Sequence, residues 1–600
     1  MSEVTTRTVE LAATTTAYTS STAPTTVYRG TPLIYGSKSM YGAYMKFDAP
    51  TLEATETVVS AYLSLNIVAV GGSGNTVLLV EATDTAWSSV THNVQPVNYG
   101  QVNIDTDAPA GKVATIGLDL SDIDIRKGIS LVARNTVSGA QINITATGDL
   151  APKLTLVVEA PVPEPEVVIP SKLVFAHYFP PYPISLDNKA PASDYYAVNY
   201  LQPSGENGKF ASVGGLLRDR PTPRQPLSGD YKLQDMETEV RNAIAGGIDG
   251  FAVDILSLSG PNWDRTITLM KAATNVSDTF KIMIQLDATA SAGKASDADI
   301  ARALNTLAQS PAVFKLPDGR VVLSPFKAEN KTASQWQGIL DILKNTYKKS
   351  FAFLPLFLDA NKMSQYDSIS FGFGNWGSRD PLVISRSSDM AKAAHNLGKI
   401  WMQPVAVQDV RPNQKLYDEA ANTGTLRESW AKAFREGADW VLLPTWNDYS
   451  ENTSFAPSVN HGEAFLTLNK YFIHKFKTGE FTTLETENVI VTHRVHAASF
   501  KPTYAEPSKQ WSGTRSPLQD NIEVLTLLRG AYNVAVTTSA GTTTYTAQPG
   551  LFTYTVPLAP GFVSVKVECP CGKTSLEVTT KDEILASPTK QDMSYHAVIG

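Results

Sequence analysis

The sequence predicts a multidomain protein in which a central (β/α)8 TIM barrel is flanked by an amino-terminal and a carboxy-terminal β-sandwich. Three observations carry that prediction. The 600 residues exceed what one hydrophobic core organises, and length alone suggests about three or four domains. Hydrophobic patterning changes twice along the chain, from short alternating runs to apolar runs interleaved with helical periods, and back again. A Pro/Glu stretch, Ala160-Pro161-Val162-Pro163-Glu164-Pro165-Glu166, separates the first two regimes and is of a composition that stays extended and stiff.

Residues 1–159 are rich in Thr, Ser, Val and Ala. Runs such as Tyr62-Leu63-Ser64-Leu65-Asn66-Ile67 and Leu154-Thr155-Leu156-Val157-Val158 alternate apolar with polar positions, the period of half-buried strands. The cluster Gly71-Gly72-Ser73-Gly74-Asn75 reads as a turn between two of them. Residues 160–171 are the linker. From 172 to 478, eight apolar runs read as parallel strands: Leu173–Tyr178, Gly250–Asp254, Lys281–Asp287, Arg320–Pro325, Phe353–Phe357, Ser368–Phe373, Lys399–Pro404 and Trp440–Thr445. Between them, Leu233–Ala245, Asp297–Gln309, Ala333–Leu343 and Leu426–Glu436 show the 3.6-residue spacing of amphipathic helices. Alternation of this kind builds βαβ units, and eight of them close a barrel. Residues 479–600 return to strand composition, with runs at 521–528, 533–536 and 561–567.

Composition excludes several functions. Apolar content of 42% and charged content of 18% are those of a globular chain, and no apolar run of the roughly 18 residues needed to span a bilayer occurs. A net charge of −7 without a basic stripe argues against nucleic acid as a partner. The two cysteines, Cys569 and Cys571, build no disulfide framework, and a Cys-x-Cys pair without nearby His receives no metal role. No cofactor is expected. Met1-Ser2-Glu3-Val4-Thr5-Thr6 lacks the basic and apolar regions of a signal peptide, so action at a cell surface requires a removed signal or another route. A virion component released by lysis needs none. Homo-oligomeric or virion assembly stays open, and no coiled-coil heptads support a trimeric fibre.

Catalytic groups of such barrels sit at the carboxyl ends of the strands. There the sequence places His177 and Tyr178, then Asp254, Asp287, Glu329, Trp376, Gln408 and Asp409, and finally Trp446, Asn447, Asp448, Tyr449 and Glu451. Carboxylates and aromatics gathered at one rim suit a polysaccharide. Glycosidic hydrolysis needs one carboxylic acid to protonate the leaving oxygen and a second carboxylate to activate water or attack carbon, while aromatic rings stack on sugar faces. Each residue also has a plainer reading. A lone strand-end Asp such as Asp287 or Asp409 caps helices, His177 and Tyr178 fit a core, and Asn447 suits either a sugar hydroxyl or the holding of a carboxylate.

Taken in order, Val174-Phe175-Ala176-His177-Tyr178, Ala245-Gly246-Gly247-Ile248-Asp249-Gly250-Phe251-Ala252, Arg320-Val321-Val322-Leu323-Ser324-Pro325-Phe326, Trp401-Met402-Gln403-Pro404-Val405 and Thr445-Trp446-Asn447-Asp448-Tyr449-Ser450-Glu451 resemble glycoside hydrolase family 71, the α-1,3-glucanases or mutanases. The resemblance covers roughly residues 173–475. It implies an inverting endo-α-1,3-glucanase with Asp448 and Glu451 as its two carboxylates; of the two, Glu451 is taken here as the acid, which requires an apolar or anionic neighbourhood to keep it protonated. Inversion would set the carboxyls about 6.5 to 9.5 Å apart, and retention about 5 to 5.5 Å. Ser450-Glu451-Asn452, where Gly-Glu-Ser is expected, and Pro180-Pro181-Tyr182-Pro183 depart from the family pattern. Both border the cleft, which leaves substrate identity more open than reaction class. Tyr41–Asp48 and Ala82–Trp87 are similar to DNRLRE-type sandwiches attached to polysaccharide-degrading enzymes, implying a carbohydrate-binding or attachment module. The rival reading is an adhesin or virion tail component that binds surface glycan with little turnover.

Overall fold

The computed structural model describes residues 4–20, 23–29, 33–35, 41–71, 76–82, 97–104, 113–120, 124–135, 141–161, 171–481, 486–501, 504, 509–511, 513–570 and 574–600. The turn at 72–75, the 83–87 part of the module motif and most of the Pro/Glu linker lie outside them. The chain divides into two compact units, Met1–Glu166 and Val167–Gly600.

The first unit contains two antiparallel sheets. One orders Val4–Ala12, Lys153–Pro161, Thr57–Gly71, Gln141–Ile144 and Leu33–Tyr35, with Val113–Leu118 also paired to Thr57–Gly71. The other orders Ala23–Arg29, Thr15–Ser20, Tyr41–Phe47, Ile129–Asn135, Thr76–Ala82 and Val97–Ile104. Alternate residues of facing strands, Ala43, Met45 and Phe47 against Leu63, Leu65, Leu154 and Leu156, fill the core between them. Each buried leucine there contributes at most about 1.5 to 3 kcal/mol.

In the second unit, eight parallel strands form the barrel: β1 (Leu173–Tyr178), β2 (Gly250–Ile255), β3 (Lys281–Leu286), β4 (Val321–Leu323), β5 in two pieces (Phe351–Phe353 and Leu356–Phe357), β6 (Gly372–Asn375), β7 (Ile400–Pro404) and β8 (Trp440–Leu443). They pair in the order β5-β4-β3-β2-β1-β8-β7-β6-β5. Closure falls at β5, whose first piece pairs with β4 and second with β6. Pro355 lacks an amide hydrogen and divides the pieces. Bonds from Leu354 N to Leu323 O (2.8 Å) and from Gly374 N to Pro355 O (3.1 Å) carry the ladder across the break.

Helices α1 (Tyr231–Ala245), α2 (Pro261–Val276), α3 (Asp297–Leu307), α4 (Ala333–Asn345), α5 (Pro381–Arg386), α6 (Met390–His395), α7 (Gly424–Arg435) and α8 (Ala464–Thr478) connect the strands. Their starts are written locally. Asp230 accepts from Leu233 N at α1, Ser296 from Asp299 N at α3, and Thr332 with Gln335 makes a capping box at α4. The α4 stripe Trp336, Ile339 and Leu343 is fully buried, as its spacing requires. Gly247, at φ 81°, turns α1 into β2, a conformation that favours glycine.

Strand β6 starts four residues later than the predicted Ser368. Asp359 caps a 3-10 helix over Ala360–Ile369 instead, its side chain accepting from Asn361 N. The strand begins where Gly372 meets β7 so closely that a Cβ would lie 2.4 Å from Ile400 Cγ1.

Beyond the barrel, two four-stranded antiparallel sheets follow. One orders Gly550–Pro557, Asn521–Leu528, Asn488–His493 and His596–Ile599; the other orders Gly541–Ala547, Tyr532–Thr538, Ser564–Glu568 and Thr574–Thr579. Val489, Val491, Val524, Val534, Val536 and Val565 form their shared core, while Ile490, Leu525, Leu527 and Ala597 join the core of the barrel. Cys569 is disulfide-bonded, and Cys571 lies outside the described residues. Among the described residues no helix is long and apolar enough to cross a membrane.

Candidate active site

Strand β8 is buried throughout and delivers the loop Pro444–Ser454 to the barrel rim. Hydrogen bonds organise this loop before any chemistry is considered. Thr445 Oγ1 accepts from Asp448 N (2.8 Å) and bonds Thr453 Oγ1 (2.9 Å), while Phe455 N donates back to Thr445 O (3.1 Å). The chain folds on itself, and Asp448 and Glu451 come to face a cavity of about 690 Å³. His177, Asp254, Asp287 and Trp376 line the same cavity.

The two carboxylates stand in different surroundings. Asp448 Oδ1 accepts from Ser450 Oγ (2.6 Å), Ser450 N (2.9 Å) and Glu451 N (3.3 Å). Burial raises its pKa, and the Ser450 hydrogen bonds oppose the rise by favouring the charged form. Glu451 is pushed up to about 8, first by burial and then by the negative charges of Asp448 and Asp409, against Arg411 and Arg379. Its Oε1 lies 2.8 Å from Arg411 Nη1. Arg411 also forks onto Asp409 through Nε (2.7 Å) and Nη2 (2.6 Å). Burial thus pushes both carboxyls toward the protonated form, Asp448 against the hydrogen bonds from Ser450 and Glu451 that favour its carboxylate.

Across the floor, His177 Nδ1 bonds Gln285 Oε1 at 2.5 Å, and its ring packs edge-on against Trp376 at 4.9 Å. Asp287 accepts from Thr289 N (2.6 Å) and Ala290 N (3.2 Å), so it also stabilises its own turn. Trp376 is held by Arg379, whose buried guanidinium lies 5.1 Å from the indole centroid and donates to the carbonyls of Trp376 (2.5 Å), Gly377 (3.0 Å) and Pro444 (3.3 Å).

Six predicted contacts are corrected. Tyr178 alternates to the opposite face of β1 from His177 and is fully buried against α1, donating to Glu239 Oε2 at 2.7 Å. Asn447 does not line the cavity that holds Asp448 and Glu451. It clamps the loop after β1, accepting from Phe179 N (2.7 Å) and donating to the carbonyls of Phe179 (3.1 Å) and Tyr182 (2.9 Å). Trp446 packs on Phe251 at 5.1 Å and Tyr449 among Tyr182 and Tyr196; both line a separate cavity behind the loop. Glu329 accepts from Leu358 N (2.9 Å) and Asp359 N (3.0 Å), fixing the end of β5. Gln408 exchanges hydrogen bonds with the Tyr595 backbone, accepting at 2.8 Å and donating at 3.4 Å.

Arg379, Arg411, Trp401, Gln403, Asp418, Trp511 and Arg515 line the cleft as well, and sequence reasoning assigned none of them. Trp401 and Gln403 carried a signal, since alternate residues of β7 point the same way. Trp511 and Arg515 carried none, because they come from beyond the barrel. Among the described residues no cluster of three or more His, Cys, Asp or Glu has the arrangement of a metal site.

A family model described as glycosyl hydrolase family 71 matches residues 227–600, a stretch that includes the Asp448–Glu451 loop and the sheets after it. The glucan endo-1,3-alpha-glucosidase agn1 of Schizosaccharomyces pombe is 23% identical over 355 residues, which are 55% of this chain and 82% of that protein. The ascus wall endo-1,3-alpha-glucanase of the same yeast is 23% identical over 250 residues, 39% of this chain and 56% of that relative. Among solved structures, the GH99 endo-alpha-mannosidase of Bacteroides thetaiotaomicron shares 13% identity at a TM-score of 0.40, covering 52% of this chain and 99% of that one. That likeness is too distant to add to the geometry. With more than half of its length matched by the family model, the chain belongs to glycosyl hydrolase family 71 and is a glycoside hydrolase acting on O-glycosyl bonds.

Proposed function

We propose that the protein is an endo-α-1,3-glucanase that hydrolyses polysaccharide with inversion, using Glu451 as general acid and Asp448 as general base. The observation that carries the assignment is the contrast between the two groups. Asp448 accepts three hydrogen bonds that favour its carboxylate, while the adjacent Glu451 is raised to about 8. Glu451 donates its proton to the departing glycosidic oxygen as the C–O bond breaks. Asp448 takes a proton from the water that attacks the anomeric carbon from the opposite face. His177, Asp254, Asp287 and Trp376 are read as sugar contacts, Trp376 offering an indole face and the others hydrogen-bonding groups. The α-1,3 linkage is drawn from the names of the two yeast relatives, as is action outside the cell, on a wall or surface glucan. The barrel, residues 172–478, is assigned the chemistry, and the amino-terminal sandwich an attachment or carbohydrate-binding role.

Reducing-end release from insoluble α-1,3-glucan, with α-1,4-glucan and bacterial capsule as controls, tests this. Release from the first polymer alone is expected, lost in Asp448→Asn and Glu451→Gln. A wild type that pulls down a polymer without shortening it would hand the protein to the adhesin reading.

A further inference from the structure

The segment that follows the barrel returns to the cleft and is pinned there. Lys509–Gln510 pairs in parallel with Leu416–Asp418, and Trp511 N donates to Tyr417 O at 3.1 Å. Ser516 donates to Asp380 twice, from N at 2.7 Å and from Oγ at 2.8 Å. Asp380 is the residue that caps α5, so the segment is anchored to the barrel at both of its ends. Between these anchors, Trp511 and Arg515 line the cavity that holds Asp448 and Glu451.

Trp511 touches the chemistry through one neighbour. The Arg411 guanidinium carbon lies 5.4 Å from its ring centroid. Each nitrogen of that guanidinium has a carboxylate partner, Nε and Nη2 in Asp409 and Nη1 in Glu451. We propose that Trp511 is a positioning residue of the hydrolytic site, holding Arg411 against Glu451, so that the post-barrel segment and not the barrel alone sets the proton affinity of the acid. The proposal rests on the reading of Glu451 as that acid.

The physical argument has two parts. An indole face attracts a guanidinium within about 6 Å, which opposes rotation of Arg411 out of the plane it shares with its carboxylates. The ring also excludes water from one face of the guanidinium, and a Coulomb interaction strengthens as the local dielectric falls. The charged and titratable groups that face Glu451 are Asp448 on its own loop, Asp409 and Arg411 after β7, Arg379 after β6, and Tyr182 after β1. Arg411 is the nearest cation, at 2.8 Å, and it favours the carboxylate form. Loosening it therefore raises the pKa of Glu451, and an acid that must be protonated then works to higher pH.

The test uses the full chain as wild type, Trp511→Ala, Trp511→Phe and Arg411→Gln, each checked for an unchanged thermal transition. Titration of glutamate carboxyls is followed by carbon-13 NMR, the Glu451 resonance being the one absent from Glu451→Gln. The pH dependence of kcat/KM on α-1,3-linked gluco-oligosaccharides is read in parallel. Arg411→Gln should raise the Glu451 titration by about 1 to 3 pH units, the effect of removing a close opposite charge. Trp511→Ala should move it part of that distance in the same direction, Trp511→Phe less, and the alkaline limb of kcat/KM should follow. A Trp511→Ala protein whose Glu451 titrates as in wild type overturns the proposal, even if KM rises, because Trp511 would then be a sugar contact only. An unmoved Glu451 in Arg411→Gln overturns it equally. Should no glucan be cleaved, the hydrolytic assignment falls, and the NMR titration still decides whether Trp511 governs Glu451.

Discussion

His177 Nε2 stands 3.7 Å from Asp254 Oδ2 at the floor of the cleft, where both side chains are buried. Burial lowers the imidazole to about 4, and burial together with Asp287 and Asp448 raises Asp254 well above the carboxylate range. Both shifts favour the neutral form of each group. Asp254 Oδ1 is buried without a hydrogen-bond partner among the described residues.

A raised carboxyl pKa has a defined consequence for stability. The folded protein binds the Asp254 proton more tightly than the unfolded chain does, so this group's contribution is fully present below the unfolded value of about 3.9 and is lost as pH rises through the folded one. Asp254→Asn removes that loss. The variant should be more stable than wild type at pH 7 to 8, with the difference vanishing near pH 4, as read by urea unfolding across pH. A difference independent of pH would show that Asp254 is charged in the folded protein.

Glu451 predicts the shape of the activity profile. With its pKa at about 8, the alkaline limb of kcat/KM should fall near pH 8, well above where an exposed glutamate loses its proton. Glu451→Gln should lower kcat by roughly 10² to 10⁴, the usual worth of a general acid, and should erase that limb. Retention of the limb in the variant would assign it to another group.

Much of this cleft was readable beforehand, and what escaped did so for physical reasons. The β8 run and the Asp448-x-x-Glu451 spacing marked a strand whose end loop faces the cavity, and the eight apolar runs marked a barrel. Parallel strands are buried on both faces, however, so apolar pattern does not say whether His177 or Tyr178 faces the lumen. Trp446 and Tyr449 were misplaced because the loop folds back through Phe455, and its side chains divide between two cavities. Arg379 and Arg411 read as ordinary loop cations until their carbonyl and carboxylate partners are seen. Trp511 joins Arg411 across a sequence gap that no local period spans.

Stereochemistry separates the two carboxylate mechanisms. Proton NMR of the first minutes of hydrolysis should show the β-anomer at the new reducing end of an α-linked substrate, as single displacement by water requires. An initial α-anomer would indicate double displacement, with one carboxylate bonded to sugar, and would remove the general-base role from Asp448.

Arg379 is buried, and its loss should cost both stability and substrate affinity. Replacement by Met keeps most of the volume but abandons the carbonyls of Trp376, Gly377 and Pro444. Unpaired buried acceptors cost roughly 1 to 3 kcal/mol each when water does not reach them, and relaxation of the loop recovers part of that. A net loss of about 2 to 4 kcal/mol is expected, with KM raised more than kcat is lowered because Trp376 loses its support. Unfolding midpoints and Michaelis parameters check the pair of effects. A wild-type midpoint would mean that the guanidinium is not needed to satisfy those carbonyls.

Tyr178→Phe tests the placement of Tyr178 behind the barrel sheet. The phenol donates to Glu239 Oε2 at 2.7 Å, and Glu239 is already pushed up to about 8, chiefly by burial. Removing the donor withdraws a bond that favours the carboxylate, so the folded pKa of Glu239 rises further. Stability should fall by about 1 to 2 kcal/mol at pH 7. By the sign of linkage, the unfolded chains titrate alike and both folded proteins hold the Glu239 proton below about 8, so the deficit should be level there and grow as pH rises through about 8, where the wild-type carboxyl ionises first. Because the hydroxyl faces α1 and not the cleft, kcat and KM should stay within about twofold of wild type, less than 0.5 kcal/mol in barrier. A tenfold fall in kcat with an unchanged unfolding midpoint would return Tyr178 to the substrate side of the barrel.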